Sequence, residues 1–69
     1  MPFVVAAAFT MRRKIILSSL LESGARSPET AKTLEEAGVM NPEKFPEYTE
    51  KLVLLDVIRK TEDGRYYLP

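Results

Sequence analysis

Apolar residues recur in three stretches with helical spacing, and a short alternating stretch follows them. The first stretch runs from Phe3 or Met11 to Ser23. Its apolar positions lie at helical intervals, with charged residues and serines between them; they are Phe9, Ile16, Leu17, Leu20 and Leu21. Gly24 favours a helix end, because glycine readily adopts the left-handed conformation that closes a helix. The pattern predicts a first helix that stops just before this glycine.

Residues 1–10 are predicted as an extension of this helix, since alanines at positions 6–8 favour helix. Met11 is an alternative natural start. In a helical extension, Phe3, Val4 and Val5 would project beyond a three-helix core and need cover, which indicates a homodimer through the first helix. A frayed tail accounts for the same residues, and both interpretations stay open.

The second stretch begins at Ser27-Pro28, which is typical of a helix start. Serine caps a free N–H, and proline at the first helical position has no N–H to leave unpaired. Ala31, Leu34 and Ala37 form a thin apolar face, and Gly38 ends the segment. These features predict a second helix.

The third stretch repeats this start with Asn41-Pro42. Its apolar stripe is Phe45, Thr49, Leu52 and Leu55. Pro46 would kink such a helix, because proline removes a backbone hydrogen bond. The alternative is a turn at 41–45 with the helix beginning at Pro46. The kinked helix is preferred here, since it places Phe45 in the core.

The C-terminal stretch predicts a break at Asp56 and then a β-hairpin. Its arms are 57–62 and 65–68, and Asp63-Gly64 is typical of a two-residue type I′ turn. That turn pairs Glu62 with Arg65, Thr61 with Tyr66, and Lys60 with Tyr67. One face, assigned to the core, carries Val57, Tyr66 and Leu68. The other carries Ile58 and Tyr67.

Composition limits the possible functions. The 69 residues predict one small domain, and without Cys or His there is neither a disulfide nor a His/Cys metal site. Ten basic residues balance ten acidic ones, which counts against DNA binding. The cations at 12–14 follow the apolar run instead of preceding it, so no secretory signal or membrane segment is expected. We expect a cytoplasmic protein without a cofactor.

The order of elements resembles the winged helix-turn-helix superfamily, particularly its small bacterial and archaeal regulators. Ser27 to Leu34 looks like the start of its second helix, Gly38-Val39 its turn, and Asn41-Pro42 the cap of its recognition helix. The run from Leu52 to Leu68 looks like the helix end and the wing. With residues 12–23 as the first helix, the resemblance covers about fifty-five residues. It implies a mainly α fold, a three-helix winged helix-turn-helix with a small β-hairpin, over residues 11–69.

The resemblance implies a transcriptional regulator that binds double-stranded DNA. The third helix would enter the major groove and the wing would touch the backbone. The expected contacts are Lys44, Glu47, Tyr48 and Lys51 in or near the groove, and Lys60 and Arg65 on the backbone. Glu43 and Glu50 share the exposed helix face, and three glutamates against two lysines suit DNA poorly. Asp56 replaces the usual glycine, and Pro46 is a further departure.

Each of these features also has a purely structural explanation. The cations at 12–14 are typical of a solvated helix turn. Lys60 and Arg65 are typical of edge-strand charges that block sheet aggregation. Tyr48 borders the core or anchors a protein interface. The surface carboxylates indicate no acid–base site, and without histidine or a glycine-rich loop no enzyme is expected. The alternative function is therefore a protein-interaction winged helix that binds no DNA.

Overall fold

Two α-helices and a two-stranded antiparallel hairpin make up most of the regular structure. The computed structural model describes the backbone of residues 2–69 and the side chains of residues 7–69. Its elements in chain order are α1 (Pro2–Glu22), a 3₁₀ helix (Pro28–Thr30), α2 (Pro46–Leu54), β1 (Arg59–Lys60) and β2 (Tyr66–Tyr67). The chain is mainly helical with a small hairpin, as the sequence predicts. Over residues 2–69 it has two α-helices where the sequence predicts three.

Helix α1 includes the N-terminal extension and runs past Met11 without a break. It closes at Gly24, whose φ is +76°. Here Ala25 N–H donates to Leu20 O (3.0 Å) and Gly24 N–H donates to Leu21 O (3.1 Å), which is the Schellman pair of bonds. The predicted helix end is confirmed, but Leu21, predicted among the apolar face, is 53% exposed. The expectation for Phe3, Val4 and Val5 falls on side chains outside the described ones.

The second predicted helix is wrong. After its Ser27-Pro28 start it makes a single 3₁₀ turn, and Ala31 is already extended (φ −59°, ψ 146°). Lys32 then pairs antiparallel with Tyr66 of β2. Lys32 N–H donates to Tyr66 O (2.9 Å) and Tyr66 N–H donates to Lys32 O (2.7 Å). A pairing partner 34 positions away overrides the local preference for helix, and β2 gains a neighbour on its second edge.

A single helical turn follows, and it is fixed at both ends by local chemistry. Thr33 N–H donates to Glu36 Oε1 (3.1 Å) and Glu36 N–H donates to Thr33 Oγ1 (3.0 Å), a reciprocal capping box. Val39 N–H donates to Leu34 O (2.9 Å) around Gly38, so this turn also closes with a Schellman bond. Ala31 and Leu34 are buried as predicted, although the helix expected to bury them is absent from this described segment.

Helix α2 begins at Pro46, so the preferred start at Asn41-Pro42 is wrong and the alternative start is confirmed. Residues 41–44 form a turn in which Lys44 N–H donates to Asn41 O (3.0 Å). Thr49 and Leu52 are buried as predicted. Phe45 and Leu55, predicted for the same stripe, are 41% and 59% exposed, because a helix that begins at Pro46 leaves both of them outside its ends.

The break at Asp56 is confirmed. Asp56 has a φ of +61°, and Val57 N–H donates to Leu52 O (2.9 Å), which gives a third Schellman-type helix end. Aspartate tolerates this left-handed conformation better than most residues. The Arg59 side chain donates to Asp56 Oδ1 (3.1 Å), which ties the helix end to β1.

The hairpin exists, but its predicted register is wrong by one residue. Arg59 pairs with Tyr67 and Lys60 with Tyr66. Thr61 N–H donates to Arg65 O (2.8 Å), so the loop has three residues, 62–64. Gly64 has a φ of +84° whereas Asp63 is not left-handed, which excludes the type I′ turn. The predicted pairs of Glu62 with Arg65, Thr61 with Tyr66 and Lys60 with Tyr67 do not form.

The core lies between α1, α2 and the start of the hairpin. Its fully buried large side chains are Ile16, Leu20, Leu52 and Ile58. The prediction that Ile58 and Tyr67 face away from the core is wrong, because Ile58 is fully buried and Tyr67 packs against the core. Val57, Tyr66 and Leu68 pack against the core as predicted. Among the described residues, no helix combines the length and the apolar character needed to cross a bilayer.

Candidate functional site

An apolar groove lies between α1 and residues 40–45. It has a volume of about 270 Å³. Its walls are Met11 and Ile15 from α1 and Met40 and Phe45 from the 40–45 segment, which are 65%, 40%, 73% and 41% exposed. Four more residues line it, and the whole set of eight is called the α1 groove below; they are Ala8, Arg12, Asn41 and Lys44. Such a concentration of exposed large apolar side chains is unusual on a monomer surface and is typical of an interaction site.

Arg12 fixes the width of this groove. Its side chain is only 5% exposed and reaches from α1 to the backbone of the opposite wall. Nη1 donates to Met40 O (2.8 Å), and Nη2 donates to Asn41 O (2.9 Å) and Lys44 O (3.1 Å). The guanidinium thus satisfies three carbonyls of a turn that has no strand or helix of its own. Nε is buried and has no acceptor among the described residues.

Phe45 holds the other end of the wall in an unusual backbone conformation. Its φ of +55° and ψ of 52° are left-handed, which is rare for a bulky residue and tends to occur at functional positions. The ring stacks on Tyr48 with a centroid distance of 4.9 Å and an interplanar angle of 9°. Tyr48 in turn meets Phe9 edge to face at 5.4 Å. These aromatic contacts keep Phe45 in place beside the groove.

Four of the six predicted DNA contacts lie on or before α2. Lys44, Glu47 and Lys51 are exposed, and Tyr48 is half-buried. Lys44 lines the α1 groove, while Lys51 Nζ lies 5.3 Å from the centre of the Phe9 ring. Tyr48 is occupied by the two phenylalanines described above. The structure therefore brings Lys44 and Tyr48 to the edge of the α1 groove instead of presenting all four on one open helix face.

The two predicted wing contacts, Lys60 and Arg65, differ in their surroundings. Lys60 is exposed, with Nζ 5.9 Å from the centre of the Tyr66 ring. Arg65 forms ion pairs with Glu36 and with Asp63. The Thr33 amide, which donates to Glu36, and the nearby Arg65 hold the pKa of Glu36 below its ordinary value. An arginine that already neutralises two carboxylates has less charge to offer a phosphate.

A second, smaller groove of about 180 Å³ separates α2 from the hairpin. It is lined by Glu50, Val53, Leu54, Lys60 and Tyr66. Leu54 is 85% exposed at the edge of this groove, between α2 and the hairpin. An apolar side chain at this place suits a protein surface better than a phosphate backbone.

The sequence prediction missed the α1 groove, although α1 contains a signal for it. Met11 and Ile15 are four residues apart, on the side of α1 away from the buried Ile16 and Leu20. A helix with apolar residues on two sides has one face to bury in its own core and a second to cover. The opposite wall was not predictable, because it depends on Arg12 hydrogen bonds to residues 28 to 32 positions away.

Over the described residues, no cluster of three or more acidic side chains is arranged to hold a metal ion. Comparison with protein-family models, curated proteins and solved structures finds no match for the chain.

Proposed function

We propose that this chain is a protein-interaction module that docks its partner in the α1 groove. The observation that carries the proposal is the exposure of Met11, Ile15, Met40 and Phe45 around one groove of about 270 Å³. Burying exposed apolar side chains of a concave surface against a partner contributes favourably to the free energy of binding. Methionine suits such a surface because its flexible side chain adapts to different partners.

The rigidity of the groove supports the same proposal. The three hydrogen bonds of Arg12 and the stacking of Phe45 on Tyr48 hold both walls in position before a partner arrives. A preformed groove loses less conformational entropy on binding than a flexible one. A homodimer through α1 is one way to fill the groove, and a different protein is another.

DNA binding by a winged helix is the second candidate. The direct passage from α2 into the hairpin supports it, as do the exposed cations Lys51 and Lys60 on these two elements. The 3₁₀ turn in place of a second helix, the ion pairs of Arg65 and the exposed Leu54 all favour the protein-interaction proposal instead.

An amide-shift titration distinguishes the two candidates. The ¹⁵N-labelled chain is titrated with a mixed-sequence duplex of about 16 base pairs at low salt. It is titrated separately with an uncharged amphipathic helical peptide. We expect the peptide to shift the amides of Met11, Ile15, Met40 and Phe45, and the duplex to shift none. Salt-dependent shifts of α2 and the hairpin with the duplex would replace our proposal with DNA binding.

A matched pair of variants separates the two surfaces. Met40→Glu places a charge on the α1 groove at a residue that is 73% exposed, so the fold is expected to survive. Leu54→Glu makes the same change at the other groove. Peptide shifts should disappear in the first variant and persist in the second.

A further inference from the structure

We propose that the occupant of the α1 groove is an amphipathic helix of another protein whose apolar stripe is flanked by carboxylates. This inference rests on the proposed function and adds the chemistry of the partner. It follows from the distribution of charge around the groove, from the uncompensated positive charge of Arg12, and from the length of the groove.

The charges of the chain are separated, although they sum to zero. Helix α1 (Pro2–Glu22) contains three basic residues, Arg12, Arg13 and Lys14, and one acidic residue, Glu22, at its C-terminal end, which gives a net charge of +2. The rest of the chain contains seven basic and nine acidic residues, which leaves a net charge of −2. Helix α1 therefore carries the positive end of a polarised molecule, and the α1 groove lies against it.

The lining of the groove repeats this asymmetry. Its charged members are Arg12 and Lys44, and none of its described lining residues is acidic. In the described part of the chain, the ion pairs involve Arg59 and Arg65 only. The cations at the groove thus lack a carboxylate partner.

The positive charge of the Arg12 guanidinium acts directly on the apolar space of the groove. It is 95% buried by its own chain and is bonded to carbonyl oxygens, which leave its positive charge uncompensated. Water screens a buried charge poorly, so its field extends into the neighbouring apolar space. A carboxylate placed at the rim would be attracted, and a cation would be repelled.

The geometry fits a helix. The α1 wall spans Ala8 to Ile15, which is about two turns or ~10 Å. Apolar side chains at i, i+3 or i+4 and i+7 of an amphipathic helix match a groove of this length. A second copy of α1 is less suited, because it would bring another three cations to the same place.

The experiment compares three fluorescein-labelled helical peptides of about 14 residues with one leucine stripe. The flanking positions are all Glu, all Gln or all Lys. Fluorescence anisotropy is measured with the full chain at about 0.05 M and about 0.5 M NaCl. We expect the Glu peptide to bind about tenfold more tightly than the Gln peptide at low salt, with the Lys peptide weakest and the difference reduced at high salt.

Variants locate the binding. Lys44→Glu should reduce the preference for the Glu peptide, Met40→Glu should abolish binding, and Leu54→Glu should leave binding unchanged. Circular dichroism checks that each variant remains folded. Binding of the Glu peptide that survives Met40→Glu would overturn the inference, because the contact would lie elsewhere.

The remaining outcomes separate this inference from the proposed function. Equal affinities for the three peptides, all lost in Met40→Glu, would overturn the acidic partner and leave the interaction module standing. A dimer that sedimentation detects and that Met40→Glu dissociates would identify a second copy of this chain as the occupant of the α1 groove. That result would also overturn the acidic partner and leave the interaction module standing. No binding of any peptide by a monomeric chain would remove both proposals.

Discussion

Lys32 and Tyr66 exchange both of their main-chain hydrogen bonds, at 2.9 and 2.7 Å, across 34 positions of the sequence. This pair joins the middle of the chain to the hairpin, so that β2 has β1 on one side and Lys32 on the other. This pairing takes the place of the predicted second helix. It also brings the 33–36 turn close to Arg65, so that Glu36 forms an ion pair with Arg65.

The first prediction concerns this pair. If Lys32 were helical, its N–H would donate to Pro28 O. Because it donates to Tyr66 O, we expect a through-hydrogen-bond scalar coupling between the Lys32 nitrogen and the Tyr66 carbonyl carbon in NMR spectra of the labelled chain. The amide of Lys32 should also exchange slowly with solvent. Continuous helical NOEs from 28 to 37 without this coupling would contradict the pairing.

The second prediction concerns Arg12. Arg12→Met removes the donors for three carbonyls of the 40–44 turn and should lower the free energy of unfolding by about 2 kcal/mol. Arg12→Lys should fall between the two, because an ammonium cannot reproduce the planar fork. Urea denaturation measures the change. Arg13→Met, at the exposed neighbouring residue, is the control. Equal losses of stability at positions 12 and 13 would be inconsistent with a stabilising role of the Arg12 hydrogen bonds.

The third prediction concerns Thr49. Its hydroxyl oxygen is buried without a hydrogen-bond partner in the described structure, and its side chain is only 4% exposed. Thr49→Val replaces the hydroxyl by a methyl group of similar size and should stabilise the chain by about 1 kcal/mol. For a domain of this size, that corresponds to a rise in Tm of about 4–8 °C in calorimetry.

Thr49→Ser is the matched variant, because it keeps the hydroxyl and loses the methyl group. It should lower the Tm, since a buried methyl group is removed from the core. A Tm for Thr49→Val at or below that of the parent chain would indicate that the hydroxyl has a partner after all.

The fourth prediction is an acid-side loss of stability. The Arg59 side chain lowers the pKa of Asp56, the Thr61 hydroxyl lowers that of Asp63, and the Thr33 amide lowers that of Glu36. Between the lowered pKa of each folded carboxyl and its ordinary value, about 4, the unfolded chain binds more protons. Stability should therefore be fully present above about pH 5 and fall as the pH drops through the lowered values.

Urea denaturation over a series of pH values measures this dependence. Glu36→Gln removes one of the titrating groups, so its stability should fall less steeply with decreasing pH than that of the parent chain. The contribution of these three carboxylates to the unfolding free energy of the chain should not vary between about pH 6 and pH 8, where the groups stay ionised. A stability that rises on acidification would be opposite in sign to the lowered pKa values.

Features governed by neighbouring residues were predictable from the sequence. Gly24 and Asp56 end helices where expected, because a left-handed residue closes the preceding turn through bonds to residues three to five positions back. Ser27-Pro28 does begin a helical turn. Leu20 and Leu52 are in the core because helical spacing places them there.

Features governed by distant residues were not predictable. The pairing of Lys32 with Tyr66 replaced a helix, and the three-residue loop moved the hairpin register by one, which sent Ile58 into the core. The α1 groove belongs to this class, because the Arg12 hydrogen bonds join α1 to the 40–44 turn. The exposure of Met11 and Ile15 was open to inference from spacing alone, but their opposite wall was not.

The three left-handed residues that end helical turns, Gly24, Gly38 and Asp56, have a consequence for how fast the chain folds. Each of the turns at these residues is closed by a hydrogen bond within six consecutive residues, so its formation costs little loop-closure entropy. The slower part of the search then lies in the long-range encounters, such as those of Lys32 with Tyr66, of Ala25 with Leu68 and of Arg12 with the 40–44 turn. Folding time should accordingly depend on these long-range meetings, with the reversals already formed when they occur.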